Sequence, residues 1–200
     1  MLKVGLTGGL ATGKSFVGQA FASLGCYLIK ADEIGREVMQ PGGEAFDPVV
    51  REFGPAILAP DGSIDRKRLA SIVFHDPERL AALNRLVHPP VIRRQDQRMQ
   101  EIAASDPGAI VVVEAAVMIE AGTYKRLDKV VLTVCGEEQQ VERAIDRGGL
   151  GREQALARIR RQMPLEEKRR FADYVIDTSG TKEETRRQVQ EVYNLLQKVA

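Results

Sequence analysis

The sequence predicts an α/β protein, a five-stranded parallel sheet with helices on both faces, and three observations carry that prediction. Apolar, β-branched runs recur at Leu2–Leu6, Cys26–Ile29, Ile110–Val113, Val130–Val134 and Tyr174–Ile176. Near-continuous runs of this kind suit strands buried on both faces, as parallel strands are. Helix-like stretches separate the runs, the alternation of a βαβ series. Between the first run and the first helix-like stretch, Phe16–Leu24, stands Gly-Gly-Leu-Ala-Thr-Gly-Lys-Ser, residues 8–15.

That octapeptide is G-x-x-x-x-G-K-[ST] in its proper context of strand, loop and helix. Glycines let successive backbone N–H groups converge on a phosphate, and a helix N-terminus adds unpaired donors and positive partial charge. Lys14 reaches for the β- and γ-phosphates, and the Ser15 hydroxyl is a Mg²⁺ ligand. The sequence therefore predicts a nucleoside triphosphate held by Gly8, Gly9, Ala11, Thr12, Gly13, Lys14, Ser15 and Phe16.

The core is expected to comprise residues 1–32, 110–142 and 171–200 of one domain. After the second strand comes Asp32, where ligands enter the crevice of an open parallel sheet. It is a candidate proton acceptor for a substrate hydroxyl, and equally a candidate N-cap for a helix starting near Glu33. Residues 33–109 form a long gap with turn signals at Pro41-Gly42-Gly43, Phe53-Gly54-Pro55 and Pro60-Asp61-Gly62. Arg66–Phe74 and Glu78–Ile102 look helical, the latter broken at His88-Pro89-Pro90. A helical insertion of this size suits a second substrate. Glu114, ending the third strand, is either an acid for Mg²⁺-bound water or an edge charge.

Residues 143–170 hold nine Lys/Arg and four acids, a local excess of +5. This helical segment, with Gly148-Gly149-Leu150-Gly151 as hinge, is expected to be a mobile lid. Most of its arginines read as solvated helix faces. Arg143 and Arg147, four apart on one face, read as functional. Thr181 and Glu184 predict a capping box, and Val189, Val192, Tyr193, Leu196 and Val199 an apolar stripe against the sheet. Cys26 and Cys135 lie in separate apolar runs and read as buried thiols.

Composition narrows the function. Two hundred residues, 44% hydrophobic and 28% charged, suit one globular domain with an inserted lobe. A net charge of +1 argues against a nucleic-acid partner. No run reaches the length of a membrane span, and no signal peptide precedes the first strand, so the cytoplasm is expected. Oligomeric state stays open, a monomer included. Asn-Lys-x-Asp, needed by a GTPase, is absent, and Asp177-Thr178-Ser179-Gly180 falls too late for a switch region. A small kinase acting on a small molecule remains.

From end to end, the chain resembles the dephospho-CoA kinases. The residues that carry this are Leu6-Thr7-Gly8-Gly9 with the loop to Ser15, Ala31-Asp32, Ile34, Arg36, Pro41-Gly42, Phe53-Gly54, Asp61-Gly62, Asp65-Arg66 and Val73-Phe74. They continue with Leu83-Asn84, His88-Pro89, Glu120, Ala172 to Asp177, and Gly180. Departures from the family pattern are Lys30 for the first acid of Asp-Ala-Asp, Ala11 for a glycine, Ala116 for a proline, Thr178 for Asn, and Gly148 for an acid or amide.

The resemblance implies a phosphate-loop fold like that of the nucleoside-monophosphate kinases. It implies transfer of the ATP γ-phosphate to the ribose 3′-hydroxyl of dephospho-CoA, giving CoA and ADP, with Mg²⁺. Lys14, Asp32, Arg143 and Arg147 would be catalytic, with Arg158 a possible addition to the arginine set. Asp32, Arg36, His88, Arg93 and Glu120 would bind the acceptor. His88 precedes Pro89, so a turn role stands beside that one. The alternatives are another small-molecule kinase, for a nucleoside monophosphate or a sugar acid, and a non-catalytic ATP-binding regulator.

Overall fold

Each apolar run forms a strand: β1 (Leu2–Gly8), β2 (Tyr27–Lys30), β3 (Ile110–Glu114), β4 (Lys129–Val134) and β5 (Tyr174–Asp177). All pairs are parallel, in the order β2-β3-β1-β4-β5. This computed structural model describes residues 1–74, 76–148 and 151–200. Two compact units divide the chain, Met1–Lys30 with Ile102–Ala200, and Ala31–Glu101.

The first unit holds the sheet. Leu2, Val4 and Leu6 alternate onto one face, where they join Val112, Val131 and Ile176. Val17 and Phe21 of α1 (Lys14–Ser23), and Val189, Val192 and Leu196 of α9 (Lys182–Gln197), cover that face. Each such side chain, fully buried, contributes about 1.5–3 kcal/mol. On the opposite face Gly5 is closely approached. A Cβ there would lie 2.5 Å from Met118 Sδ and 2.8 Å from Leu127 Cδ1, so the segment after β3 packs onto the backbone itself. The chain leaves β1 toward β2 and later crosses back from β3 to β4. With right-handed crossovers this reversal puts the β4–β5 connection on the face opposite α1.

That connection comprises α6 (Glu137–Gly148), α7 (Arg152–Arg160) and α8 (Leu165–Lys168). Val141 and Ala144 of α6 pack on Ala155 of α7, with Leu156 and Ile159 around them. Of the expected glycine hinge, Gly149 and Leu150 lie outside the described residues. The capping box at Thr181 is present: its hydroxyl accepts the Glu184 N–H at 3.2 Å, and Glu184 Oε2 accepts the Thr181 N–H at 2.7 Å. Val199 does not join the apolar stripe. The helix ends at Gln197, and Val199 is 51% exposed.

The second unit is helical, with α2 (Ala31–Val38), α3 (Phe46–Phe53), α4 (Arg66–Phe74) and most of α5 (Pro77–Ser105). Asp65 Oδ1 accepts from the N–H groups of Lys67 and Arg68, and Asp76 Oδ1 from those of Glu78 and Arg79, so each caps the helix that follows. The break expected at His88-Pro89-Pro90 does not occur, because α5 runs through both prolines. Proline's fixed φ is helical. Two N–H groups are lost from the ladder, and the burial of Pro90, Gln95 and Met99 along the same helix outweighs that loss.

Candidate active site

The strand order reverses at β1, and the glycine loop leaves its C-terminal end there, the place where open parallel sheets bind ligands. Gly13 adopts φ +82° and α1 begins at the next residue, Lys14. The unpaired N–H groups of the first helical turn therefore face the loop mouth. Lys14 Nζ donates to the carbonyls of Gly9 (2.6 Å) and Gly8 (3.3 Å), which folds its stem across the loop.

Threonines fasten the loop to the sheet. The Thr12 hydroxyl bonds Gly9 O (3.0 Å) and Thr133 Oγ1 (2.8 Å), and Thr133 Oγ1 donates to Thr7 O (3.2 Å). Thr178, beyond β5, donates to Thr12 O at 3.0 Å and packs against Gly13. Arg143 of α6 grips the same residue, with Nη1 on Thr178 Oγ1 (3.1 Å) and Nη2 on Thr178 O (2.7 Å). Arg143 is thus brought to the loop. Arg147 and Arg158 are exposed, Arg147 at the end of α6 and Arg158 on α7.

Ser15 Oγ donates to Glu114 Oε1 at 2.8 Å, and Glu114 Oε2 is buried with no hydrogen-bond partner. Glu114 is not an edge charge, because β3 lies between β2 and β1. A hydroxyl beside an unsatisfied carboxylate oxygen is a hard-oxygen donor set that fits Mg²⁺, which takes one or two carboxylates and completes its shell with water and phosphate. Among the described residues no group of three or more His, Cys, Asp or Glu could form an all-protein metal cage.

Phe16 carries the Arg186 guanidinium 5.2 Å over its ring. Cys26 and Cys135 are free and buried; burial pushes the Cys26 thiol up to about 11 and raises that of Cys135.

Two readings change, that of Asp32 as a helix cap and that of His88 in a turn. Asp32 does not cap a helix, because α2 already starts at Ala31 and Asp32 lies in its first turn. Lys30 ends β2 and in register pairs with Glu114. Glu120 is occupied internally, with Oε1 2.9 Å from Lys168 Nζ and accepting the Met163 N–H at 3.1 Å. Its carboxylate ties the β3 loop to the 163–168 segment. In the second unit Arg93 pairs with Glu44 and Arg36 is exposed. His88 is half-buried inside α5, which removes the turn reading, and desolvation lowers its pKa.

The sequence alone did not point to Thr133, to Lys168, or to Gln162, whose side-chain carbonyl accepts the Leu10 N–H. Only Asp177-Thr178-Ser179-Gly180, at the end of β5, offered a signal, for Thr178. The others contact residues far off in the chain: Thr133 is 121 positions from Thr12, Gln162 is 152 from Leu10, and Lys168 is 52 from Ala116.

Comparison with known proteins agrees with this geometry. A shikimate kinase from Bacteroides thetaiotaomicron has the same fold, with TM-score 0.53 at 16% identity over 98% of each chain. A Thermus thermophilus protein of known crystal structure superposes with TM-score 0.83 and 33% identity, over 98% of this chain and 97% of its own. The dephospho-CoA kinase from Campylobacter jejuni superposes at 0.71 with 27% identity, over 98% and 96%. The dephospho-CoA kinase of Thermobifida fusca is 43% identical over 199 residues, 99% of this chain and 98% of that one. That of Carboxydothermus hydrogenoformans is 42% identical over 186 residues, 93% and 90%. The family model for dephospho-CoA kinase matches residues 2–184, from the first strand to the capping box, so the chain belongs to the dephospho-CoA kinase family.

Proposed function

We propose that this protein transfers the γ-phosphoryl group of ATP to the ribose 3′-hydroxyl of dephospho-CoA, releasing ADP and CoA. The observation that carries this reading is the phosphate loop with Lys14 folded over its mouth and Ser15 bonded to Glu114, in a chain of this family. The bond from the γ-phosphorus to the β–γ bridging oxygen breaks, and a bond from the ribose 3′-oxygen forms. Transfer of this kind asks for positioning and charge neutralisation.

Loop amides and Lys14 hold the β- and γ-phosphates. Arg143, held at the loop by Thr178, places its positive charge beside the phosphoryl groups, and Arg147 follows it one turn along α6. Ser15 and Glu114 would hold Mg²⁺, whose charge when bound lowers the negative potential around the phosphates. Asp32 accepts the hydroxyl proton. Arg36, His88 and Arg93 serve the acceptor, Arg93 by exchanging Glu44 for an anionic group of the substrate. The internal bonds of Glu120 favour a structural part for it. The segment 143–170 works as the lid over ATP.

A coupled ADP-release assay across acceptors tests the reading. ADP release with dephospho-CoA alone supports it. Release with a nucleoside monophosphate or a sugar acid favours another small-molecule kinase. No ADP release with any acceptor, alongside ATP binding, favours a regulator.

A further inference from the structure

The phosphate loop has an outer side, turned away from the phosphates, and the lid segment grips it. Gln162 follows α7, and its side-chain carbonyl accepts the Leu10 N–H at 2.8 Å. Leu10 and Ala11 also pack on the small cluster of Val141, Ala144 and Ala155. Next to Leu10, Ala11 has φ +56°, the only positive φ of a non-glycine among the described residues. A left-handed conformation costs alanine about 1–2 kcal/mol and persists only where its surroundings over-determine it. The Gln162 carbonyl is a hydrogen-bond acceptor fixed on the Gly9–Leu10 peptide, one residue before Ala11.

Gln162 is itself anchored. The next residue, Met163, gives its N–H to Glu120 Oε1 at 3.1 Å. Lys168 is fully buried at the far end of the segment, with Nζ 2.9 Å from Glu120 Oε1 and 3.0 Å from Ala116 O. Ala116 O also accepts the Thr7 hydroxyl at 3.3 Å, at the strand end that feeds the loop. The strap 162–168 therefore ties the outer side of the phosphate loop to the loop after β3.

We propose that Gln162 is a positioning residue for phosphoryl transfer, holding the Gly9–Leu10 peptide, and with it the phosphate loop, in its binding shape before ATP arrives. Preorganised amides act at full strength because nothing has to reorient when the charge comes. The kinetic part of this rests on the kinase reading above; the structural part does not.

Two variants test it. Gln162→Met keeps the length of the side chain and removes the carbonyl; Gln162→Glu keeps an acceptor. In the ligand-free protein, amide exchange at Leu10 should rise about tenfold in Q162M, the factor expected for one lost hydrogen bond, and stay near wild type in Q162E. Calorimetric affinity for a nonhydrolysable ATP analogue should fall in Q162M by about the same factor. In turnover, KM for ATP should rise and KM for dephospho-CoA should stay put. Unchanged Leu10 exchange in Q162M overturns the proposal. So does a lower melting temperature with unchanged ATP-analogue affinity, which would make Gln162 merely structural. If wild type binds the analogue and turns over no dephospho-CoA, the kinase reading fails, while exchange and affinity still decide on Gln162.

Discussion

Replacing Lys168 with methionine should destabilise the fold by an amount that the structure sets. The Lys168 side chain is 0% exposed and that of Glu120 is 24% exposed, with 2.9 Å between Nζ and Oε1. Methionine fills much of the lysine volume, so packing changes little. The loss is electrostatic: Glu120 keeps only the Met163 N–H, and Ala116 O loses one of two donors. Breaking a buried pair on one side costs about 3–5 kcal/mol. Water still reaches Glu120, and the buried ammonium's own desolvation is relieved, so about 2–3 kcal/mol is expected here. For a chain of this size that is a fall in Tm of about 4–12 °C. Calorimetry on wild type, Lys168→Met, Glu120→Gln and the double variant checks it. A neutral amide at 120 needs no cation, so the double variant should recover at least about 1 kcal/mol relative to the sum of the singles. A Tm shift under about 2 °C in Lys168→Met, or strict additivity, would refute the account of this pair.

Three further outcomes follow from the site. Lys14→Ala removes a cation that sits on loop carbonyls rather than in the core, so kcat should fall about 10²–10³-fold with Tm nearly unchanged, by steady-state assay and a melting curve. Asp32→Asn should cut kcat about 10²–10⁴-fold and leave ATP affinity intact. Because Asp32 is in the first turn of α2 and caps nothing, stability should change by less than about 1 kcal/mol. His88 has a lowered pKa through burial, so the unfolded chain binds the extra proton first. Stability should therefore rise with pH between the depressed folded value and the ordinary histidine value, and fall on acidification through that window. His88→Gln should flatten this slope in urea titrations at several pH values.

Much of this was legible in the sequence because the signals are local. Apolar runs gave five strands whose ends fall within two residues of those observed. The phosphate loop and the capping box each depend on residues close in sequence. The turn signalled at Pro60-Asp61-Gly62 is present, with Asp61 Oδ1 accepting from the Ser63 N–H at 3.0 Å, and Asp65, met as part of a resemblance, caps α4. The failures were also physical. Two prolines signal a helix break, yet α5 absorbs them through burial elsewhere along its length. Asp32 resembled an N-cap because the strand-to-helix switch comes at Ala31 with no linker. Glu120 and Lys168 could not be paired from sequence, since a charged residue inside a protein is recognisable only from what surrounds it.

The central claim is chemical, and one product analysis tests it most directly. Wild-type protein is incubated with ATP, Mg²⁺ and dephospho-CoA, and the product is examined by phosphorus–proton correlation NMR. The account predicts a new phosphomonoester coupled to the ribose 3′ proton, formed in step with ADP and lost in Lys14→Ala. Phosphorylation at any other position, or ADP formed with dephospho-CoA left unmodified, would contradict it.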